Sequence, residues 1–323
     1  MKGRYKIRIE NKNIRYDLEI VRNITIVRGD SATGKTTLIE MIMQYENDGE
    51  NSGIVLYCEK KCTVLTGLRW KENLTSIDDS IVFIDENDRF ITSEDFASAV
   101  KSSNNYFVII TRDNLHNLPY SVEEIYGIHE SGKYAELKKT YNEFYRIYSD
   151  TKYSFSYDID RIITEDSNSG YQFISTLARK KGIECISAAG KSNIYAETLK
   201  DKNRRVLIFA DGAAFGSEMN RITELSKTGM AILLYLPESF EWLILRSGLI
   251  DGRKIAEILE HPEDHIDSCK YFSWERYFTS LLIDETKSSY FRYSKERLND
   301  RYLDARERKA ITNAMGKVGE VLS

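Results

Sequence analysis

Apolar and polar positions alternate along residues 4–10 and again along 13–20, on either side of Asn11-Lys12-Asn13. Period-two alternation around a short polar turn predicts an antiparallel hairpin. Ile24-Thr25-Ile26-Val27 is continuous and β-branched, as a strand buried on both faces should be, and Leu38 to Met43 has helix-forming composition. Gly53–Cys58 and Cys62–Leu65 read as short strands. Ser80–Ile84 reads as a buried strand running into Asp85-Glu86, and Tyr106–Ile110 as another running into Thr111-Arg112. Between them, Ser93-Glu94-Asp95-Phe96-Ala97 carries an N-cap and an acidic first turn. Residues 130–158 are polar and rich in tyrosine, with a helix expected from Ala135 to Tyr148.

The second half repeats strand and helix in turn. Strands are expected within Asp160–Asp166 and within Arg205–Ala213, each ending on a carboxylate, and at Ile183–Ser187 and Met230–Tyr235. Helices are expected from Tyr171 to Lys181, stopped by Gly182, and after Ala189-Gly190-Lys191-Ser192-Asn193. This alternation implies a parallel sheet, with ligand sites at the carboxyl ends of its strands. From about residue 250 the pattern is helical. The expected class is α/β, divided into 1–130, a bridge at 131–158, a second α/β domain at 159–250 and a helical region at 251–323.

Composition fits this picture. The 323 residues are 41% hydrophobic and 30% charged, enough for a packed core, and two domains are the better expectation at this length. A net charge of −4 excludes a global basic field, so any contact with nucleic acid has to be a local patch. No apolar run reaches membrane-spanning length, so no membrane partner is expected, and Met1-Lys2-Gly3-Arg4-Tyr5 has no apolar stretch behind it to make a signal peptide. Cys58, Cys62, Cys185 and Cys269 lack disulfide-framework spacing, and a cytoplasmic location is expected.

The most specific motif is Gly29-Asp30-Ser31-Ala32-Thr33-Gly34-Lys35-Thr36-Thr37, a G-x-x-x-x-G-K-T phosphate-binding loop between a strand and a helix. Glycines let several N–H groups face one anion, and the helix beginning near Lys35 adds its positive end. Lys35 can reach the β- and γ-phosphates of ATP, Thr36 can ligate Mg²⁺, and Thr37 falls near the α-phosphate. After the strand at 80–84, Asp85 suits the Mg²⁺ shell and Glu86 can polarise an attacking water. Thr111 and Arg112 are candidate γ-phosphate sensors, with an ordinary loop ion pair as the other reading of Arg112. Tyr5 and Tyr16 can stack on an adenine or serve as strand aromatics.

These features resemble the core of AAA/ABC-like P-loop ATPases across roughly residues 1–128. The chain departs from ABC proteins in having no L-S-G-G stretch and no helical insertion between Gln44 and Asp85.

In the second half, Glu165 and Asp211 each end a strand. With Gly190 they resemble a Toprim domain across roughly 159–247. That family carries a Glu after its first strand, a Gly before a middle helix, and Asp-x-Asp after a later strand. The resemblance implies Mg²⁺ held by Glu165 and Asp211 for breaking or joining phosphodiester bonds. Ala213 stands where the second aspartate belongs, leaving Glu218, Asp166 or Glu238 to replace it, or a decayed site. An ATPase followed by a Toprim-like domain also resembles the overcoming-lysogenization-defect nucleases and related phage-defence proteins. There, nucleotide state controls a metal-dependent nuclease.

Two further constellations remain. His261, His265 and Cys269 fall at helical spacing and are metal ligands in type. Residues 287–317 mix basic and aromatic side chains suited to nucleic-acid contact with acidic ones that suit a solvated, ion-paired helix. The expected activity is Mg²⁺-dependent ATP hydrolysis coupled to a Toprim-type nuclease, with nucleic acid, a partner protein or a second copy as partners. Two alternatives are a non-enzymatic ATP-dependent switch and a P-loop kinase.

Overall fold

The computed structural model describes all of the chain except residues 30–33, 132–138, 149–157 and 251. It is an α/β protein that divides into two compact units. The first comprises Met1–Asp150 and Pro262–Phe272, and the second Thr151–His261 and Ser273–Ser323. The 251–323 stretch, expected as one helical region, is therefore shared between the units.

The first unit opens with the hairpin β1 (Tyr5–Glu10) and β2 (Ile14–Ile20). Tyr5, Ile7 and Ile9 are buried while Lys6 and Arg8 are exposed, so the alternation sets the register. The turn is held by Asn11, whose side-chain oxygen accepts from the N–H groups of Asn13 and Ile14 at 2.8 and 3.0 Å. Then follow β3 (Ile24–Val27), α1 (Lys35–Asp48), β4 (Val55–Tyr57), β5 (Lys61–Val64), α2 (Trp70–Thr75) and β6 (Ser80–Ile84). Next are α3 (Glu94–Lys101), β7 (Tyr106–Ile110), β8 (Ile125–Glu130) and β9 (Thr140–Arg146). The α3 cap is the expected one: Ser93 Oγ accepts from the Phe96 N–H at 3.1 Å.

All nine strands form one sheet in the order β4-β1-β2-β9-β8-β3-β7-β6-β5. The strands β3, β7, β6 and β5 run parallel and are wholly or largely buried. The expected helix at 135–148 is overturned over its described part. Thr140–Arg146 is a strand, pairing with both β2 and β8. Its content of Thr140, Tyr141, Phe144 and Tyr145 favours a pleated surface, and the sheet supplies partners on both sides. The strand β8 has no counterpart in the sequence reading. Its Gly127 lies opposite Tyr145, whose ring passes 2.4 Å from where a Cβ would sit.

The strands β4 and β5 are the two outermost of the sheet, yet only Cys58, Glu59 and Lys60 separate them in sequence. Laid flat, eight inter-strand steps would separate the edges by about 38 Å. The linking residues reach at most about 14 Å. The sheet therefore curls, and α1 packs against β1, β4 and β5 on its inner side. Leu38, Ile39, Met41 and Ile42 of that helix join Ile7, Ile9, Val27 and Val108 in one apolar cluster. Segment Pro262–Phe272 returns to this unit: the Gly3 N–H donates to Glu263 O at 2.8 Å and the Ser268 N–H to Met1 O at 2.9 Å.

The second unit contains β10 (Arg161–Thr164), α4 (Ser169–Lys181), β11 (Glu184–Ser187), α5 (Lys191–Leu199), β12 (Val206–Phe209), α6 (Met219–Lys227) and β13 (Ile232–Tyr235). These build an all-parallel four-stranded sheet in the order β11-β10-β12-β13. Gly182 ends α4 at φ +71°, as expected of an αL stop. Helices α7 (Phe240–Arg246), α8 (Arg253–Glu260), α10 (Trp274–Thr286), α11 (Ala305–Ala314) and α12 (Lys317–Leu322) complete the unit, while the short α9 (Pro262–His265) belongs to the first. Residues 287–317 are not one helix: turns and a 3-10 segment at Asp300–Leu303 precede α11. Among the described residues no helix is long and apolar enough to cross a membrane.

Candidate functional sites

In the first unit, β3, β7 and β6 place Val27, Ile110 and Ile84 at one sheet edge, with Val27 opposite Ile110 and Ile84 opposite Ile109. Everything that follows these strand ends is brought to the same edge. Gly29, Gly34, Lys35, Thr36 and Thr37 come after β3, Asp85 and Glu86 after β6, and Thr111 and Arg112 after β7. One strand lies between β3 and β6, a lateral offset of about 10 Å. The edge is locked from behind. The Thr111 N–H donates to Val27 O at 3.1 Å, and Arg28 Nη2 donates to Asn114 Oδ1 at 2.8 Å and Tyr120 Oη at 3.1 Å.

Asp30, Ser31, Ala32 and Thr33 lie outside the described residues. Gly29 and Gly34 on either side of them have φ of +144° and +84°, conformations that favour glycine. Gly34 caps α1 with no side-chain hydrogen bond, and the first turn holds no acidic residue, so the helix's own first turn does not offset its positive end. Lys35 is buried and its Nζ donates to Gly29 O at 2.8 Å, while Thr36 is exposed. Tyr16 is buried, and its hydroxyl donates to Gly34 O at 2.7 Å. Burial pushes that phenol up to about 12, against hydrogen bonds from Asn142 and Thr37. Tyr5 is buried too, with its hydroxyl on Lys2 O and its ring edge-on to Tyr106. Both rings are core aromatics, which removes the adenine-stacking option.

Asp85 has one oxygen, Oδ2, that accepts from Asn87 Nδ2 at 2.9 Å; the other, Oδ1, is buried and has no hydrogen-bond partner among the described residues. A buried, orphaned carboxylate oxygen is costly unless something else satisfies it. With Thr36 at the helix start, it fits the donor set for a hard divalent cation. Glu86 and Arg112 are paired with each other, with Nε 3.3 Å from Oε2.

In the second unit, β10 and β12 are neighbours, so Glu165 and Asp211 meet at their carboxyl ends. The Asp211 N–H donates to Glu165 Oε2 at 3.2 Å, and the Gly190 N–H donates to Glu165 O at 2.7 Å. The pair lines a cleft with about 20 Å³ of solvent space, room for one water. Burial pushes the Glu165 carboxyl up to about 7, with the Glu275 charge adding and the Asp211 amide and Lys191 opposing. Burial also raises Asp211 well above the carboxylate range, helped by Glu275, Glu165 and Glu241 and opposed by Lys295.

Glu241 and Glu275 were not singled out in the sequence, and Tyr293 and Lys295 stood out only as members of the basic and aromatic 287–317 stretch. Glu241 is buried in the first turn of α7 and accepts from the Tyr293 hydroxyl at 2.8 Å. Lys295 pairs with Glu275 of α10; burial pulls this ammonium down, but Glu275, Glu241 and Asp211 outweigh it and hold it charged. The start of α4 fixes the segment carrying Lys295, since Ser169 Oγ donates to Ser294 O at 2.6 Å and Lys295 O at 2.9 Å. Lys191 donates to Ala214 O at 2.9 Å, and burial lowers it despite Glu165, Glu218 and Glu275.

Of the expected replacements for the missing carboxylate, Asp166 lines the same cleft, and Glu218 and Glu238 do not. Asp166 is engaged with Asn168, accepting from its N–H at 3.1 Å and its side-chain amide at 2.7 Å. Glu218 is buried and bears on Lys191, and Glu238 contributes its carbonyl to the Ala213 N–H at 3.3 Å. Ala213 itself is buried. Among the described residues no three His, Cys, Asp or Glu side chains are grouped to hold a metal ion. Glu165 and Asp211 therefore meet as a pair, with no third carboxylate grouped with them to complete a metal-holding set among the described residues. His261, His265 and Cys269 are not on one helix either: α8 ends at Glu260, Pro262 starts a separate turn, and Cys269 Sγ approaches Asn104 Oδ1 at 2.9 Å.

No protein-family model matches this chain, and no curated protein matches it in sequence.

Proposed function

We propose that the first unit binds ATP and hydrolyses it with Mg²⁺, in the cytoplasm, and that the second unit acts on nucleic acid as a nuclease. The observation that carries the ATPase reading is the orphaned Asp85 Oδ1, at the same sheet edge as the uncapped start of α1. On this reading the main-chain amides from Gly29 to Thr37 cradle the phosphates, and Lys35 leaves Gly29 O to meet the β- and γ-phosphates. Thr36 and Asp85 would hold the metal, which supplies positive charge against the leaving phosphates. Glu86 orients the attacking water once its pairing with Arg112 is released, and Arg112 is then available to the γ-phosphate. In the second unit, support comes from Glu165 and Asp211 meeting at the carboxyl edge of a parallel sheet, where such folds bind ligands.

A second reading is an ATP-controlled switch whose second unit binds without cutting. It is favoured by the buried Ala213 and by Lys295, an ammonium already placed among Glu275, Glu241 and Asp211. ATP turnover and cleavage of DNA and RNA, measured on one preparation with Mg²⁺ and with Mn²⁺, separate the two. The nuclease reading requires cleavage that disappears in Glu165→Ala and Asp211→Ala. Turnover without any cleavage selects the switch, and the absence of ATP binding overturns both.

A further inference from the structure

The second unit carries a groove of about 660 Å³ between the end of α4 and helices α11 and α12. Lys180 and Lys181 line one wall and Arg308 and Lys309 the other, above a floor that includes Leu177. Glu320 is the one carboxylate side chain among the lining residues. None of the four cations forms an ion pair with a described residue; Arg308 spends one N–H on Leu303 O at 3.1 Å. The C-terminal end of α4 explains why lysines are tolerated at 180 and 181. It does not explain why α11 brings two more cations to face them. Gathering four like charges costs free energy in the empty groove, and a polyanion would recover it.

We propose that this groove binds the phosphodiester backbone of a nucleic acid. The inference rests on the reading of the second unit as one that acts on nucleic acid, and names the surface that would hold it. The placement of α4 favours a long polyanion over a small one. Its first residues, Ser169 and Gly170, line the cleft of Glu165 and Asp211, and its last ones line the groove. Thirteen helical residues span about 18 Å between the ends, or roughly five nucleotides along a duplex strand. A backbone seated on Lys180, Lys181, Arg308 and Lys309 can thus run toward the acidic cleft. The interleaved acidic residues of the 287–317 stretch do not fill the groove, which is why a chain with net charge −4 can present it.

The test is fluorescence anisotropy on the full chain, without divalent metal, using labelled 20-base-pair DNA, the matching RNA duplex, and inorganic polyphosphate as competitor. Four phosphate contacts predict a slope of log affinity against log salt near about −3.6. Lys180→Glu with Lys181→Glu should weaken binding about tenfold or more and reduce that slope by about two. Glu320→Lys, on a separate helix, should tighten binding, a gain that misfolding cannot produce. Nucleic acid bound equally well by wild type and both variants overturns the groove while leaving the reading of the unit intact. No binding to either duplex overturns both, and binding of polyphosphate alone overturns the assignment to nucleic acid.

Discussion

The hydroxyl of Tyr16, on the second strand of the hairpin, donates to the carbonyl of Gly34 at 2.7 Å. The last glycine of the phosphate-loop motif is thereby fixed to a strand three places away from β3 in the sheet. A Cβ at Gly34 would lie 2.6 Å from that hydroxyl, and the residue's φ is +84°.

Tyr16→Phe removes one of the two donors to the Gly34 carbonyl, which keeps the Leu38 N–H at 3.0 Å. The expected cost is about 0.5–1.5 kcal/mol of stability, with weaker ATP binding, read by urea denaturation and by nucleotide titration. Gly34→Ala should be worse on both counts, because clash and backbone strain act together.

Lys35→Ala removes the ammonium that now rests on Gly29 O. ATP hydrolysis should fall by a factor of about 100 or more, with thermal stability little changed. Asp85→Asn should also depress turnover and, since Oδ1 has no hydrogen-bond partner among the described residues, should not destabilise the fold. Wild-type turnover in Lys35→Ala would defeat the ATPase assignment.

Stability should fall as pH rises from about 5 to 8, and Glu165 is one cause. Its folded value is raised to about 7 from 4.5, so the folded chain holds a proton that the unfolded chain has lost. The carboxyl's cost is absent below the unfolded value, grows through the interval, and is complete above the folded one, at roughly 3 kcal/mol. Asp211 shifts in the same direction. Denaturation midpoints of Glu165→Gln measured across this range should show a flatter profile than wild type. An unchanged profile would mean that Glu165 titrates normally.

Cys58 is half-buried, and the hydrogen bond from Cys62 holds its thiol down to about 7. The Lys60 N–H adds a contact at 3.4 Å. Alkylation of Cys58 by iodoacetamide should therefore rise with a midpoint near pH 7, followed by peptide mass spectrometry. Cys62→Ala should move the midpoint upward and slow the reaction at neutral pH.

Local patterns exposed much of this molecule in the sequence. The hairpin alternation, the β-branched run before Gly29, the Ser93 cap and the Gly182 stop are all decided by neighbouring residues, and all are present. The edge pairing of Glu165 with Asp211 also follows once the β–α alternation is read as a parallel sheet. What escaped depends on distant partners. Thr140–Arg146 is a strand because β2 and β8 flank it, which no window of that segment contains. Glu241, Glu275 and Lys295 converge from three separate stretches; the two carboxylates have no motif around them, and Lys295 showed only as one cation of the 287–317 stretch. The one local hint was Ser239, whose side chain caps the helix bearing Glu241 by accepting from the Trp242 N–H at 3.2 Å.

The three-residue link between the outermost strands also bears on how copies of this chain meet. A nine-stranded sheet ordinarily offers two open margins to which a neighbouring molecule can add a strand. Here Cys58, Glu59 and Lys60 draw those margins toward each other, and one of them is a strand of only three residues. A foreign strand finds little backbone there to copy, so the curl that encloses α1 also guards the chain against edge-to-edge aggregation.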